Sequence, residues 1–300
     1  MKTLPIAPPN SVLRPFPRHS PIPHPQRASR PWWKVLLLLI ALAISSANQV
    51  HAGKWKLVWS DEFNYKGLPD PTKWDFEEGF VRNGENQYYT RARLENARVE
   101  HGHLIIECRK DNFTPSNHPP VEYTSASLTT LNKECWQYGR IEVRAKLPAG
   151  RGVWPAIWTL GTNITQVGWP ACGEIDIMEF VGKETNNVHG TVHYAVAGQH
   201  QSDSSTMETP KPYAGFHTYA VEWTPDRIDF FFDHQKYHTV MTAKAGEPAD
   251  NPFCKPHFLI INFALGGSWG GPIDDSSLPQ QYLIDYVRVY QAADSTAANP

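Results

Sequence analysis

The 300-residue sequence is short of several features that mark common functional classes. Its formal net charge is only −2, and without a basic surplus we expect no nucleic-acid partner. The four cysteines include no C-x-x-C pair, which argues against a zinc ribbon and against a dithiol redox site. After residue 53 no long apolar segment repeats every 3.6 residues, so the pattern does not favour a helical protein.

Long hydrophobic runs are also missing, apart from KVLLLLIALAI at residues 34–44, which is too short to cross a bilayer comfortably. A basic, proline-rich stretch precedes this run, and SSANQVHA follows it with Ala52 at the end of a small-x-small pattern. We interpret residues 1–52 as a signal peptide with a long basic, Pro-rich n-region. This interpretation predicts a secreted or periplasmic protein that has no stable membrane partner after cleavage. An uncleaved N-terminal membrane anchor is the alternative.

The cysteines of an exported chain could form disulfides. Cys108 and Cys135 flank adjacent strand-like segments, which makes them the better candidates for a pair. Buried free thiols are the alternative.

In place of helices, the sequence has a series of short β-rich segments. Pro, Gly, Asn and Asp clusters separate them, a pattern typical of an antiparallel sandwich or barrel. Because no internal repeat or linker interrupts the series, we expect one domain, residues 53–295. The predicted strands cover residues 55–63, 103–110, 123–130, 138–147, 174–182, 187–196, 217–225, 227–233, 257–267 and 282–291.

Apolar and charged side chains alternate strictly along YGRIEVRAKL, residues 138–147. Ile141 and Val143 belong to one face of this predicted strand, and Glu142 and Arg144 to the other. The apolar face is expected to pack inward. The charged face is either solvated or the floor of a polar groove.

Three carboxylates stand inside the apolar run GEIDIMEF, residues 173–180. On a regular strand Glu174 and Asp176 share a face, while Glu179 points to the other face. One extra residue, a β-bulge near Ile177–Met178, would bring all three to the same face. The two glutamate Cα atoms would then be about 13 Å apart. Inward-leaning side chains could bring the carboxyl groups towards the spacing of about 5–5.5 Å that retaining glycosidases use. A calcium site and solvated surface charges are the alternatives.

The segments around these carboxylates resemble glycoside hydrolase family 16, in its laminarinase-like branch with the pattern E-x-D-x-x-E. The resemblance covers about residues 55–292, and it implies a jelly-roll β-sandwich with a concave glycan-binding cleft. The matching segments are WSDEFN (59–64), ENQYYT (85–90), YGRIEVRAKLPAGRGVWPAIW (138–158), GWPACGEIDIMEFVG (168–182), HGTVHY (189–194), FHTYAVEW (216–223) and NFALGGSWGG (262–271).

The resemblance implies a role for each carboxylate. Glu174 matches the nucleophile, which forms a glycosyl-enzyme intermediate, and Glu179 matches the general acid/base. Asp176 matches the carboxylate that assists the nucleophile. Two displacements at the anomeric carbon imply retention of configuration.

The resemblance also implies a set of substrate-binding residues. Trp154, Trp158 and Trp269 are the expected sugar-stacking side chains, while Trp169 and Trp136 are weaker candidates that could be core residues. His193 matches a family histidine near the acid/base, with a satisfied core histidine as the alternative. The expected hydroxyl-binding groups at the donor subsites are Asn86, Glu142, Arg144 and Asn262; Arg144 could instead neutralise the carboxylates.

Many members of the family bind one calcium ion far from the cleft. The matching positions are Glu62 and Gly102, through backbone oxygens, and Asp285, through its side chain. We expect no cofactor for catalysis, and a role in stability for such an ion.

The resemblance therefore implies a monomeric endo-β-1,3-glucanase that takes a β-glucan polysaccharide such as laminarin as its substrate. Mixed-linkage β-1,3-1,4-glucan cleavage and transglycosylation are alternatives within the family. A non-catalytic glucan-recognition protein is the alternative from another class, although such proteins typically lack the three carboxylates.

Overall fold

The computed structural model describes residues 55–116 and 118–293. The predicted signal peptide and the predicted start of the domain at residue 53 lie outside the described residues, so both stay predictions. None of the helices in the described ranges is long and apolar enough to cross a membrane.

β-Strands dominate the described chain, and the helical segments are single turns. The short helices are α1 (Ile164–Val167) and α2 (Gly267–Gly270), and the 3-10 turns are Thr242–Ala245, Pro252–Cys254 and Asp275–Ser277. The strands are β1 (Trp55–Asp61), β2 (Asp75–Phe76), β3 (Gln87–Tyr89), β4 (Ala97–Glu100), β5 (His103–Phe113), β6 (Val121–Ser125), β7 (Ser127–Thr129), β8 (Gly139–Lys146), β9 (Val153–Gly161), β10 (Glu174–Glu179), β11 (Asn187–Val196), β12 (Gln199–Glu208), β13 (His217–Trp223), β14 (Arg227–Phe232), β15 (Gln235–Met241), β16 (His257–Leu265) and β17 (Gln280–Ala292).

These strands form two sheets. A ten-stranded sheet runs in the order β15-β14-β13-β8-β17-β5-β6-β3, with β1 against β17 and β4 against β5; we call it the outer sheet. A seven-stranded sheet runs in the order β12-β11-β10-β9-β16-β7-β2; we call it the cleft sheet, because its free face carries the cleft described below. Apart from the parallel β3–β6 pair, the strand pairs within the described ranges are antiparallel. The predicted all-β antiparallel sandwich of jelly-roll type is confirmed.

The core lies between the two sheets. β8 contributes Ile141 and Val143 from the outer sheet, and β10 contributes Ile175 and Met178 from the cleft sheet, all of them buried. Burying each such aliphatic side chain contributes roughly 1.5–3 kcal/mol. Strand alternation then directs the intervening polar residues of each sheet away from the core. The free face of the cleft sheet is therefore available for a site.

One predicted strand divides between the sheets. Residues 123–130 were expected to form a single strand, but Val121–Ser125 is in the outer sheet and Ser127–Thr129 is in the cleft sheet. The buried residue Ala126 marks the crossing. This crossing carries the chain from one layer of the sandwich to the other within a single residue.

The predicted cysteine pair is wrong. All four cysteines are free thiols. Cys108 is enclosed in the core on β5, whereas Cys135 is exposed at the turn before β8. The structure agrees with the alternative of free thiols, and two of them, Cys108 and Cys172, are buried.

Candidate active site

A β-bulge in β10 brings the three carboxylates to one face of the cleft sheet. Along the neighbouring strand β9, Glu174 pairs with Leu160, Asp176 with Trp158 and Glu179 with Ala156. These partners are two residues apart, so they share a face, and the register shifts between Asp176 and Met178. The register with β11 shifts over the same segment. The predicted bulge near Ile177–Met178 is confirmed.

The carboxylates face a cleft of about 980 Å³ on the free side of the cleft sheet. The cleft combines a few polar groups with several indole rings, the usual composition of a ligand pocket. Of the predicted site residues, those that line it are Glu174, Glu179, Trp154, Trp158, His193 and Trp269.

Asp176 lies beneath the cleft surface, between the two glutamates. Its side chain is only 2% exposed. Its Oδ2 atom is 3.2 Å from Nε2 of His193, and ligand atoms of Glu174, Asp176 and His193 all lie within 4.8 Å of one another. The structure therefore places His193 beside the nucleophile candidate and its assistant, not beside Glu179 as expected.

Burial raises the pKa of each of the three carboxyl groups. The pKa of Asp176 is well above its usual range because of burial and of the charge on Glu179. Burial and the charge on Asp176 act in the same direction on the pKa of Glu174, while His193 and a hydrogen bond from Trp169 oppose them. Glu174 is the more exposed of this pair and has an indole donor, so we assign the negative charge to Glu174 and a proton to Asp176.

Each glutamate accepts a hydrogen bond from a different indole. Trp154 Nε1 donates to Glu179 Oε1 at 3.0 Å, and Trp169 Nε1 donates to Glu174 Oε2 at 2.6 Å. Burial raises the pKa of Glu179 to about 7, against the effect of the Trp154 hydrogen bond. At neutral pH the site can therefore hold a proton on Glu179 and a charge on Glu174, which suits an acid beside a nucleophile.

Comparison with known proteins shows the family of the chain. The sequence profile of glycosyl hydrolases family 16 matches residues 84–288. The chain belongs to glycoside hydrolase family 16.

Similar family 16 proteins include a beta-glucanase of Rhodothermus marinus, 47% identical over 83% of this chain and 89% of that protein. A glucan endo-1,3-beta-glucosidase of Cryptopygus antarcticus is 39% identical over 79% of this chain and 92% of its own. Among solved structures, the laminarinase from Rhodothermus marinus superimposes with a TM-score of 0.73 at 45% identity, over 81% of this chain and all of that one (100%).

A second solved family 16 structure contains a sugar. It is a non-specific endo-beta-1,3(4)-glucanase crystallised with 1,3-beta-D-cellotriosyl-glucose, presenting 1,3-beta-D-cellobiosyl-glucose at its active site. It is 42% identical to this chain, with a TM-score of 0.74 over 79% of this chain and 95% of that one.

An aromatic cluster surrounds the family 16 acid/base candidate. The rings of Trp154 and Trp269 meet edge to face at 5.6 Å, and the His189 ring meets Trp269 at 4.9 Å. His189 pairs with Glu179 across β10 and β11, and Glu184 Oε2 is 3.0 Å from its Nε2. His189 lines the cleft and was not anticipated, because HGTVHY offers two histidines and the pattern singled out only His193.

Trp269 owes its position to two preceding glycines with positive φ. Gly266 has φ 68°, and a Cβ atom there would collide with the side chain of Asn86. Asn86 is exposed beside the cleft, and its Oδ1 accepts a hydrogen bond from the backbone N–H of Gly267. Asn86 therefore supports the turn that holds Trp269. Its predicted contact with sugar hydroxyls stays a prediction.

Asn262 is placed under the floor of the cleft, where it is buried. Its Oδ1 accepts from Trp158 Nε1 at 2.7 Å, and its Nδ2 donates to the Tyr89 hydroxyl at 2.8 Å. Both polar ends of the side chain are thus occupied by protein partners. Asn262 orients Trp158, a role that differs from the expected binding of sugar hydroxyls.

Arg82 is a cleft residue that the sequence pattern missed. Its guanidinium lies 4.8 Å from the centre of the Trp158 ring and is paired with Glu77. Its buried Nη1 atom has no hydrogen-bond partner among the residues that the structure describes. An unpartnered donor in a cleft is available to a ligand hydroxyl. Arg82 precedes ENQYYT by only three positions, but no pattern distinguishes it from other arginines.

The expectation that Glu142 and Arg144 line the cleft is wrong. Both belong to β8, which lies in the outer sheet, and neither borders the cleft. Glu142 is bonded to Arg140 and accepts from the Tyr286 hydroxyl, while Arg144 is paired with Asp285. The charged face of β8 is therefore a solvated face with local ion pairs, and Arg144 does not neutralise the catalytic carboxylates.

Of the two weaker tryptophan candidates, Trp136 is buried in the core. Trp169 is 51% exposed, lines the cleft and donates to Glu174, so it belongs to the site.

The predicted calcium ligands lie at the end of the sandwich where β1, β5 and β17 meet. Asp285 occupies an irregularity in β17, Gly102 is in the turn before β5, and Glu62 follows β1. Asp285 is already paired with Arg144, and its Oδ1 is 3.8 Å from His103 Nε2. The only side-chain ligand of the predicted set is thus held by cationic or hydrogen-bonding neighbours, a poor fit to Ca²⁺, which prefers several oxygen ligands. Calcium binding stays a prediction.

We predict that Glu179→Gln stabilises the fold at alkaline pH. A carboxyl with a folded pKa of about 7 destabilises the fold progressively as pH rises from about 4.3 to about 7, because the unfolded chain loses this proton first; above pH 7 the loss is complete. The substitution should raise the free energy of unfolding by up to about 3 kcal/mol at pH 8 and by little at pH 4. Urea unfolding at both pH values measures this.

The exposed residue Glu247 offers the matched control, since Glu247→Gln should change stability by less than about 0.5 kcal/mol at either pH. An equal effect of Glu179→Gln at pH 4 and pH 8 would contradict the raised pKa.

Proposed function

We propose that the chain is a retaining endo-β-1,3-glucanase that cleaves laminarin-like glucans by double displacement. The observation that carries the proposal is the bulged strand β10, which presents Glu174, Asp176 and Glu179 together at the floor of a tryptophan-lined cleft. The names of the Rhodothermus and Cryptopygus relatives support the substrate class.

The first displacement breaks the glycosidic bond. The Glu174 carboxylate attacks the anomeric carbon, and Glu179 donates its proton to the leaving oxygen. A proton on Asp176 lets it donate a hydrogen bond to Glu174 and removes a second negative charge from the nucleophile's neighbourhood. The hydrogen bond from Trp169 helps to hold Glu174 ionised.

The second displacement releases the sugar. Glu179, now ionised, removes a proton from a water molecule, which attacks the glycosyl-enzyme and frees Glu174. A pKa of about 7 suits both directions of proton transfer near neutral pH. A sugar hydroxyl in place of water would give transglycosylation, so the ratio of water to acceptor sugar decides between the two products.

The open sides of the cleft suit a chain substrate. Trp158, with the Arg82 guanidinium over its ring, lies beside the carboxylates, opposite Asp176. Trp169 lies at the Glu174 end of the group, and Trp154 with Trp269 lies at its Glu179 end. Flat apolar sugar faces can stack on these rings while hydroxyls meet the surrounding polar groups. Aromatic surfaces on both sides of the reacting carbon favour internal bonds of a polymer over its ends.

Mixed-linkage β-1,3-1,4-glucan is the second candidate substrate. A similar solved structure is described as a non-specific endo-beta-1,3(4)-glucanase, and an endo-1,3-1,4-beta-glycanase of Rhizobium meliloti is 30% identical. A beta-1,3-glucan-binding protein of Penaeus monodon is also similar, at 34% identity over 56% of this chain. The retained carboxylates favour hydrolysis over binding alone. Export of the chain and a monomeric state remain parts of the proposal.

We predict that Glu174→Ala abolishes reducing-end release from laminarin and that Glu179→Ala strongly reduces it, for different reasons. Loss of Glu179 removes acid catalysis, which should lower the rate on laminarin by about 10²–10⁴-fold. Its effect on the first step should be much smaller for an aryl glycoside, because a phenolate leaving group needs little protonation. Glu174→Ala should be inactive on both substrates, since the covalent intermediate cannot form.

The comparison of laminarin with an aryl β-glucoside oligomer, under single-turnover conditions, distinguishes the two roles. Equal losses of Glu179→Ala on both substrates would remove it from the acid role. A folded wild-type protein that binds laminarin without cleaving it would favour the recognition function.

We also predict that the alkaline limb of the pH profile depends on Trp154. The profile of kcat/KM reports the pKa values of the free enzyme, so its alkaline limb should fall with a midpoint near 7. Trp154→Phe keeps an aromatic ring but removes the N–H that stabilises ionised Glu179, so this midpoint should move to higher pH. Trp158→Phe is the matched control, because the indole of Trp158 donates to Asn262 and not to a glutamate. A midpoint that falls or stays in Trp154→Phe contradicts the assignment.

A further inference from the structure

The contact between Asp176 and His193 is incomplete as a hydrogen bond. Asp176 Oδ2 is buried and lies 3.2 Å from His193 Nε2, yet within residues 55–116 and 118–293 it has no hydrogen-bond partner. A ring N–H of His193 therefore does not point along the line between these two atoms. A buried carboxyl oxygen without a partner is costly, and its position beside an imidazole nitrogen identifies a place where a ligand can bind. A metal ion bound there would displace the proton that Asp176 holds in the free site.

The same geometry suits a metal ion. Metal–ligand bonds of about 2.1 Å to a histidine nitrogen and a carboxylate oxygen 3.2 Å apart enclose an angle of about 100°, close to tetrahedral. An ion shared by these two atoms would lie off the line that joins them, which is compatible with the lack of a hydrogen bond along that line. Glu174 is the third candidate ligand: its carboxylate oxygen lies within 4.8 Å of the other two ligand atoms, and a small side-chain rotation would bring it to the separation of about 3.4 Å expected in a tetrahedral site.

A second histidine supports this set from outside. His193 Nδ1 is 2.9 Å from His200 Nε2, and the two rings are stacked at 5.2 Å. Binding of an ion at His193 Nε2 requires the tautomer in which His193 Nδ1 carries the proton and donates it to His200 Nε2, which leaves the Nε2 lone pair free on the side of Asp176. Metal-bound histidines commonly use their other ring nitrogen in this way.

The chemistry of the donors selects the ion. One imidazole with two carboxylates favours Zn²⁺ and similar transition-metal ions, whereas Mg²⁺ and Ca²⁺ prefer oxygen ligands throughout. Three protein ligands leave one position of a tetrahedral ion open towards the cleft. An ion held there would occupy the nucleophile and stand where the anomeric carbon of the substrate must arrive.

We propose that Glu174, Asp176 and His193 form a binding site for Zn²⁺ or a similar transition-metal ion, and that this ion and the glucan exclude each other. The inference goes beyond the proposed function, and binding of the ion can be measured without turnover. Failure of the metal site therefore leaves the glucanase assignment intact, and the reverse also holds.

Calorimetric titration of the full chain with Zn²⁺ tests the site. Wild type should bind one ion at the cleft, and His193→Phe, which keeps a ring of similar size, should weaken this binding at least 100-fold. His217→Phe is the matched control, because His217 also faces a carboxylate, Asp233, at 2.9 Å but lies on the outer sheet. His200→Ala should weaken binding by about 10–100-fold through loss of the supporting contact.

Competition in the wild-type protein tests exclusion without any substitution. A saturating laminarin oligosaccharide should lower the apparent Zn²⁺ affinity. Zn²⁺ should inhibit laminarin cleavage competitively, EDTA should reverse this inhibition, and Mg²⁺ should not inhibit. Undiminished Zn²⁺ binding in folded His193→Phe would overturn the proposal. Simultaneous binding of ion and oligosaccharide to wild type would overturn it as well.

Discussion

The single extra residue in β10 is the constraint on which the site depends. Without a shift between Asp176 and Met178, strand alternation would direct Glu179 into the apolar core and leave Glu174 and Asp176 alone in the cleft. With it, Ile175 and Met178 still pack into the core while three carboxylates face outward. The bulge therefore reconciles two demands on six residues: a filled core on one side and an acid, a nucleophile and an assisting group on the other.

Placing these carboxylates together creates an electrostatic problem that the neighbouring strands resolve. Burial raises all three pKa values, so the group retains a proton that open water would remove. The two indole donors are separate, one for each glutamate, which allows their protonation to differ. Two asparagines position the surrounding tryptophans: Asn262 accepts a hydrogen bond from Trp158, and Asn86 supports the turn before Trp269. The Asp176–His193 contact is unfinished in this arrangement, and it is there that a metal ion is inferred.

The sequence predicted which side of each strand faces the core better than it predicted which strands line the cleft. Alternation identified which face of a strand is buried, and an odd spacing of carboxylates required the bulge, because both follow from local geometry. The resemblance implied that Glu142 and Arg144 line the cleft, and alternation could not correct this, because it does not say to which sheet a strand belongs; β8 lies in the outer sheet. The sequence pattern did not predict strand β12, QHQSDSSTME, because this strand is polar and lies at a sheet edge. It did not predict β9 because the apolar run of this strand includes Pro155. Arg82 and His200 function through contacts across the fold that no local pattern contains.

The stereochemistry of the first product tests the central claim most directly. The spacing of the carboxylates on a bulged strand leads us to expect attack by Glu174 itself, and two successive displacements retain the anomeric configuration. Proton NMR during early laminarin hydrolysis should therefore detect the β-anomer of the new reducing end before mutarotation produces the α-anomer. Initial appearance of the α-anomer would mean a single displacement by water, and it would contradict the assignment of Glu174 as nucleophile.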